Sequence, residues 1–276
     1  MTIKEINESI EEGRALKTIA AAYTEISSIR LKRIRQEVIR TRAFFVEVLN
    51  IYAMLRHIVL KKNQTLPPNT KTASIILTSN NRFYGHIESD VIGFFLRQNY
   101  DKGDIIVVGS SGREAFGSLH LPFQSLIFKD DVPAHEEIIN LVSKIKDYGA
   151  VQVYFARFKS VLQQVPVVVD ITQSQAKAAQ QTERLEEAFI FEPEVVKILQ
   201  FFDSQLKQVL IEQTFLETEL ARTSSKLISM DQAQHNADEF LKKQHQLLTR
   251  ANMSILDTQI LETVTSIIKK GSDIGI

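Results

Sequence analysis

The sequence predicts an α/β domain with two very long helices, N- and C-terminal, that pair with each other as a coiled coil. Three observations predict it. Residues 194–270 contain no proline and no glycine, and apolar residues recur through most of them at steps of three, four or seven. Residues 3–62 repeat that pattern with a single glycine, Gly13. Between them, β-branched runs alternate with helix-like stretches. An apolar stripe sustained over so many turns marks a coiled-coil face, and strands alternating with helices mark a largely parallel sheet.

The first helix, Ile3 to Lys62, draws its stripe from Ile6, Ile10, Leu16, Ile19, Tyr23, Ile26, Ile29, Ile34, Val38, Phe45, Val48, Tyr52, Leu55 and Val59. At helical rise it would reach roughly 80–90 Å. Asn63–Thr70, with Pro67-Pro68, is a breaker. Then come a buried strand at Thr72–Thr78, a helix at Asp90–Gln98, a strand at Asp104–Val108 and a short helix at Ser111–Phe116. A helix at Ala134–Lys146 and strands at Val151–Phe158 and Val165–Ile171 follow, with Pro166 placing the last strand at an edge or bulge. Gln173–Arg184 reads as a polar linker, and Pro193 suits the first turn of the long C-terminal helix. That helix would reach roughly 115 Å. Its stripe runs from Leu199, Phe202, Leu206, Val209, Leu216, Leu220 and Leu227 through Met230, Ala233, Ala237, Leu241, Leu248 and Ala251 to Ile255, Leu256, Ile260, Val264 and Ile267. A rod of that length cannot bury its stripe against its own compact body and needs partners. The chain thus divides into 1–62, 63–190 and 191–276.

Of the 276 residues, 44% are apolar, enough for a real core. Net charge is zero, with 33 basic and 33 acidic residues, so no global field favours nucleic acid or anionic membrane. There is no cysteine, hence no disulfide or thiol nucleophile. The charged start MTIKEINESIEEGR lacks a signal-peptide core, and no apolar run is long enough for a membrane span. A soluble, cytoplasmic protein is expected.

Catalytic chemistry is not visible. Gly112 and Gly117 have phosphate-loop spacing, but Ser118-Leu119 follow where Lys and Ser/Thr are needed. Gly109-Ser110-Ser111-Gly112 reads as a strand-to-helix turn in a Rossmann-like layer. The six histidines are scattered, and His135-Glu136-Glu137 lacks a second histidine one turn on. No cofactor or metal site is expected. One charge cluster stands out: Arg30, Lys32, Arg33, Arg35, Arg40 and Arg42 against a single acid, Glu37. It reads either as a solvated helix face or as a collar for an acidic partner. Without interleaved aromatics it does not read as a nucleic-acid site.

The residues then resemble a family. Lys226-Leu227-Ile228-Ser229-Met230, with Ala233, Asn236 and Ala237, is similar to the ARMVAM-x-x-A-T-x-N-A signature of the gamma subunit of F-type ATP synthases. The register holds through Ala251, Ile260, Glu262 and Val264. Lys4-Glu5-Ile6 and Ile10 match its opening KEI-x-x-x-I, and Arg30-Leu31-Lys32-Arg33 its K-L-R-R. Leu77-Thr78-Ser79-Asn80-Asn81-Arg82-Phe83-Tyr84-Gly85-His86-Ile87 resembles a worn LTSDRGLCGGL. The departures are specific. An Arg-Gln pair is Asn252-Met253, Thr-x-Glu becomes Asp257-Thr258-Gln259, and a tyrosine is Leu248. Met-Lys-Met-Val-Ala-Ala is Tyr23-Thr24-Glu25-Ile26-Ser27-Ser28, and an upstream Ser-Glu is Ala221-Arg222. Such positions carry polar contacts to catalytic subunits in ordinary members. The pattern is also similar to the alternate, ion-pumping branch of the family.

The resemblance implies a rotor: an antiparallel coiled coil inside a ring of alpha and beta subunits, with the α/β domain against the epsilon subunit and the membrane c-ring. It implies a peripheral location on the cytoplasmic face of the cell membrane, without insertion into the bilayer. Partner contacts would fall at Tyr23, Arg30, Lys32, Arg33, Arg35, Met230, Asn236, Leu248, Asn252, Met253, Asp257, Gln259 and Glu262. Two other readings stand beside it: a gamma-derived, non-rotary scaffold, and a small α/β enzyme with helical arms.

Overall fold

The structure is a computed structural model that describes residues 2–61, 71–81, 84–98, 103–171 and 195–273. The expected breaker at 63–70, the linker at 173–184 and the helix start at 191–194 lie outside them.

The elements are α1 (Ile3–Lys61), β1 (Thr72–Leu77), α2 (Ile87–Arg97), β2 (Asp104–Val108), α3 (Ser110–Ser118), β3 (Gln124–Leu126), α4 (His135–Lys144), β4 (Ala150–Ser160), β5 (Gln163–Asp170) and α5 (Val195–Asp273). Every helix and strand expected within the described residues is present. Strand β3 was not expected: three residues are too short to carry an alternation. The strands form one sheet in the order β3-β2-β1-β4-β5. The first four are parallel, and β5 pairs antiparallel with β4 at the edge, where Pro166 sits opposite Ala156. An edge strand tolerates the missing proline N–H.

The chain forms two compact units: Met1–Ile26 with Ser229–Ile276, and Ser27–Ile228. The second is an α/β unit whose central parallel strands, β1, β2 and β4, are buried on both faces. Ile75, Leu77, Ile106, Val108, Val151, Val153 and Phe155 point to one face and pack with Ile138, Leu141 and Ile145 from α4 and the following turn, and with Leu206, Leu210, Ile211 and Phe215 of α5. Ile76, Ile105, Val107, Tyr154 and Ala156 point to the other face, against Ile87, Val91 and Phe95 of α2 and Phe116 of α3. Phe95 meets Tyr154 edge-on, with ring centroids 4.9 Å apart. Ile34 and Val38 of α1 pack on Leu216 and Leu220 of α5.

The first unit is a pair of antiparallel helices. A Cβ on Gly13 would touch Leu241 and Phe240, and four residues on, Lys17 Nζ meets Asp238 Oδ1 at 2.6 Å. The α1 seam here is Ile6, Ile10, Gly13, Lys17, Ala20 and Thr24, at alternating steps of four and three, all buried or half-buried. The α5 seam is Met230, Gln234, Ala237, Leu241, Gln244, Leu248 and Ala251, with the same steps. This corrects the expected stripe. Leu16, Ile19, Tyr23 and Ile26 share helical spacing but sit beside the seam, exposed by 39–63%. Small residues at Gly13 and Ala20 carry the seam instead, and periodicity alone does not separate two adjacent rows on one helix. Ala233, also expected in the stripe, is exposed.

Candidate functional site: a closed sheet end and an open helix end

In an open sheet of this strand order, ligands ordinarily bind beyond the carboxyl ends of the strands, where the chain switches direction. Here the switch lies between β1 and β4. The chain's own groups fill that end. Gly109 enters α3 with φ at +99°, the strand-to-helix turn read from sequence. The α3 N-terminal donors are all taken: Ser110 N–H by Asn80 Oδ1 at 3.1 Å, Ser111 N–H by Ser79 O at 3.0 Å, and Gly112 N–H by Thr78 Oγ1 at 2.9 Å. A phosphate held by this turn would have to displace three internal bonds.

Beside it lies a buried charge network that sequence reasoning missed. Asp131 accepts hydrogen bonds from Asn80 N–H (2.6 Å), the Asn81 amide (2.8 Å) and the Tyr84 hydroxyl (2.9 Å). From α5, Arg222 Nε lies 3.4 Å from Glu88 Oε1, which also accepts Ser79 N–H at 2.7 Å. Ser225 donates to Tyr84 O at 2.8 Å, and the Lys226 ammonium stands 5.7 Å from the centre of the Tyr84 ring. Glu219, wholly buried, meets Arg30 Nη2 of α1 at 2.8 Å. Burial lifts the Glu219 carboxyl above its ordinary range, helped by the Asp131 charge and opposed by Arg30 and Arg222. Burial pushes Asp131 the same way, but its three hydrogen bonds and the Arg222 charge outweigh it and hold that carboxyl below the usual range. Burial and the two neighbouring acids push the Tyr84 hydroxyl up. Burial, then Arg30, lowers the Lys226 ammonium. Glu219 Oε2 and Arg222 Nη2 are buried without a hydrogen-bond partner among the described residues. The network draws on segments around residues 30, 80, 131 and 222, so no local motif announces it.

The basic cluster on α1 divides accordingly. Arg30 is spent on Glu219, and Arg42 on Glu217, with Nη2 to Oε1 at 2.7 Å. Arg33 lies 3.4 Å from Glu37 one turn along. Lys32, Arg35 and Arg40 face outward, exposed. The collar is therefore part internal brace and part open surface. Ala221 and Arg222 are 0% and 2% exposed, which corrects the reading of that departure as a lost partner contact. They belong to the interior of the α/β unit.

The open region is the C-terminal end of α5. The register of the helix pair brings Ile3, where α1 begins, about level with Ala251. Residues 252–267 are then exposed on every side. Among them are Met253, Ile255, Leu256, Ile260, Leu261, Val264 and Ile267, 46–66% exposed. This corrects the expectation that these residues continue the seam: they have no α1 beside them. Asn252, Met253, Asp257, Gln259 and Glu262 all lie on this free end. Met230 and Leu248 lie on the seam, half-buried. Tyr23 is exposed beside it, and Asn236 accepts a bond from Gln232 at 3.0 Å on the outer surface. Among the described residues, no group of three His, Asp or Glu side chains is placed to hold a metal ion, and no helix is long and apolar enough to cross a membrane.

A mixed sheet with a filled ligand end, together with a long helix whose C-terminal residues 252–267 expose seven apolar side chains, defines a class: a protein with a surface for partner chains rather than a small-molecule site. Comparison with known proteins makes this specific. A family model described as ATP synthase matches residues 2–267. The ATP synthase gamma chain of Staphylococcus saprophyticus is 22% identical, over 95% of this chain and 97% of its own. That of Ruminiclostridium cellulolyticum is 20% identical, over 95% and 96%. Among solved structures, a chain of the Euglena gracilis mitochondrial ATP synthase, in its OSCP/F1/c-ring assembly, covers all of this chain and 96% of its own, with TM-score 0.72 and 14% identity. A chain of the Tetrahymena thermophila mitochondrial ATP synthase central stalk and c-ring covers 80% and 98%, with TM-score 0.54 and 16% identity. The chain belongs to the ATP synthase gamma-chain family.

Proposed function

We propose that this chain is the central-stalk rotor subunit of an F-type ATP synthase, coupling ion-driven rotation of a c-ring to ATP synthesis or hydrolysis on the catalytic beta subunits. Family membership supports the assembly. The observation that carries the mechanism is the free end at residues 252–267, exposed all round with seven large apolar side chains among its polar ones. In water such a helix leaves its apolar area unburied at a cost of about 25 cal/mol per Å². A surrounding sleeve of alpha and beta subunits would cover it without fixing it by directional bonds, which suits a part that turns.

On this reading the chain is not itself catalytic. An asymmetric shaft presents different faces to three chemically identical beta subunits and biases each toward a different nucleotide affinity. Turning the shaft moves the bias. Asn252, Met253, Asp257, Gln259 and Glu262 would meet the sleeve; Tyr23, Met230, Asn236 and Leu248 would lie further along the coil. Lys32, Arg33 and Arg35 would face acidic loops where the coil leaves the sleeve. The α/β unit would stand against the epsilon subunit and the c-ring at the cytoplasmic face of the membrane, outside the bilayer. The segments 1–62, 63–190 and 191–276 would then be shaft, foot and shaft.

The test is to express the tagged chain in its native host, purify it and measure its partners and ATPase activity. Stoichiometric alpha and beta subunits with ATPase activity are expected. Recovery without catalytic subunits would overturn the rotor and favour a gamma-derived scaffold.

A further inference from the structure

In the α/β unit, the departures from the gamma-family pattern converge in space. Asn80, Asn81 and Tyr84 stand where the motif after β1 has other residues, and Ala221-Arg222 where it has Ser-Glu. The side chains of Asn81 and Tyr84 donate to Asp131, that of Asn80 bridges Phe128 O and Ser110 N–H beside them, and Arg222 reaches Glu88. We infer that Arg222 is a positioning residue that, with Glu88 and Glu219, fixes the rotational setting of α5 on the sheet and so carries torque into the helix; this rests on the rotor reading.

Stability does not account for the network. Replacing a buried ion cluster by well-packed apolar residues is often neutral or stabilising, and two polar atoms here are left without partners. What charges add is direction. Apolar packing holds the helix by shape, and the charges add a directional tie: one residue's slip about the helix axis, about 100°, would swing Arg222 away from Glu88. Arg222 ties α5 to Glu88 at the start of α2, and Glu88 is tied in turn to the end of β1 through Ser79 N–H. Glu219, one turn earlier, ties α5 to Arg30 of α1. The two contacts tie α5 to α2 and to α1, so that torque about the α5 axis meets ion pairs as well as apolar packing. Apolar contacts at Phe215 and Leu210 would still keep the helix in place if these bonds were gone.

The experiment uses the intact complex purified from the host and reconstituted in vesicles, comparing ions pumped per ATP hydrolysed. Arg222→Met should keep ATP hydrolysis near wild type while lowering the pumped-ion ratio by at least about twofold. Arg222→Lys, which keeps the charge, should restore most of it. If Arg222→Met does not assemble, Glu219→Gln decides, since it keeps shape and removes only the charge; it should lower the ratio in the same way. An unchanged ratio in the assembled variants, beside a pumping wild-type complex, would overturn this inference and leave the rotor reading intact. A wild-type chain that recovers no catalytic subunits would overturn both.

Discussion

Helix α5 passes through two environments. Between Leu206 and Ser225 it is buried on almost every side, charges included. From Ser229 onward only a narrow seam is covered, and residues 252–267 are all exposed. The same secondary structure therefore does opposite work. In the α/β unit its polar residues are spent on internal bonds and its position is fixed. In the helix pair the seam is small and partly polar, with Gly13, Lys17, Ala20 and Thr24 facing Gln234, Ala237 and Gln244, and the outer surface is left to others. A polar residue on a long helix has no fixed meaning until its surroundings are known.

The largest way to break this contrast is Arg222→Ala. It leaves Glu88 and Glu219 facing a void and should cost about 3–5 kcal/mol of unfolding free energy, measured by urea denaturation of the chain. A loss below about 1 kcal/mol would mean that the network is wet and the two regions are alike. Next is Gly13→Leu, which forces a side chain against Leu241 and Phe240 where even a Cβ sits 3.0 Å away. About 1–3 kcal/mol of local stability should go, seen as faster amide exchange in residues 3–26 and 229–251 with exchange in β1, β2 and β4 unchanged.

A smaller effect sharpens the contrast by sign. The raised Glu219 contributes stability that is intact at low pH and lost as pH rises through its elevated pKa. Glu219→Gln does not titrate, so its melting temperature relative to wild type should climb with pH. Asp131, held low, contributes stability present at neutral pH and lost on acidification. The deficit of Asp131→Asn should therefore shrink in acid. Parallel slopes for the two variants would contradict the opposed environments. Last, Met253→Ala or Ile260→Ala should change the chain's own stability by no more than about 0.5 kcal/mol, because both side chains are already in water. Their effect should appear only in the assembled complex, as reduced ATPase activity.

The local parts of this architecture were legible in the sequence. Two long helices, four of five strands and the edge position of β5 followed from missing breakers, β-branched runs and Pro166. What escaped was non-local. Strand β3 exists because β2 offers an edge to Gln124–Leu126, which have no strand pattern of their own. Leu16, Ile19, Tyr23 and Ile26 looked like the seam because bulk is easier to see than absence, yet Gly13 and Ala20 let the helices approach. The unbroken helical pattern places the free-end residues on α5, but their exposure depends on the register of the helix pair, which no single segment carries. The charge network needed four distant segments brought together, and no spacing rule spans that distance.

The bare end of α5 also bears on the life of the molecule before assembly. A newly made copy would display in residues 252–267 an uncovered helix with seven large apolar side chains in water, the kind of surface that chaperones and proteases can engage. An orphan chain would carry its own degradation signal, masked only on joining its partners. Its cellular abundance would then follow the supply of those partners rather than its own rate of synthesis, a self-correcting stoichiometry written into one exposed helical segment.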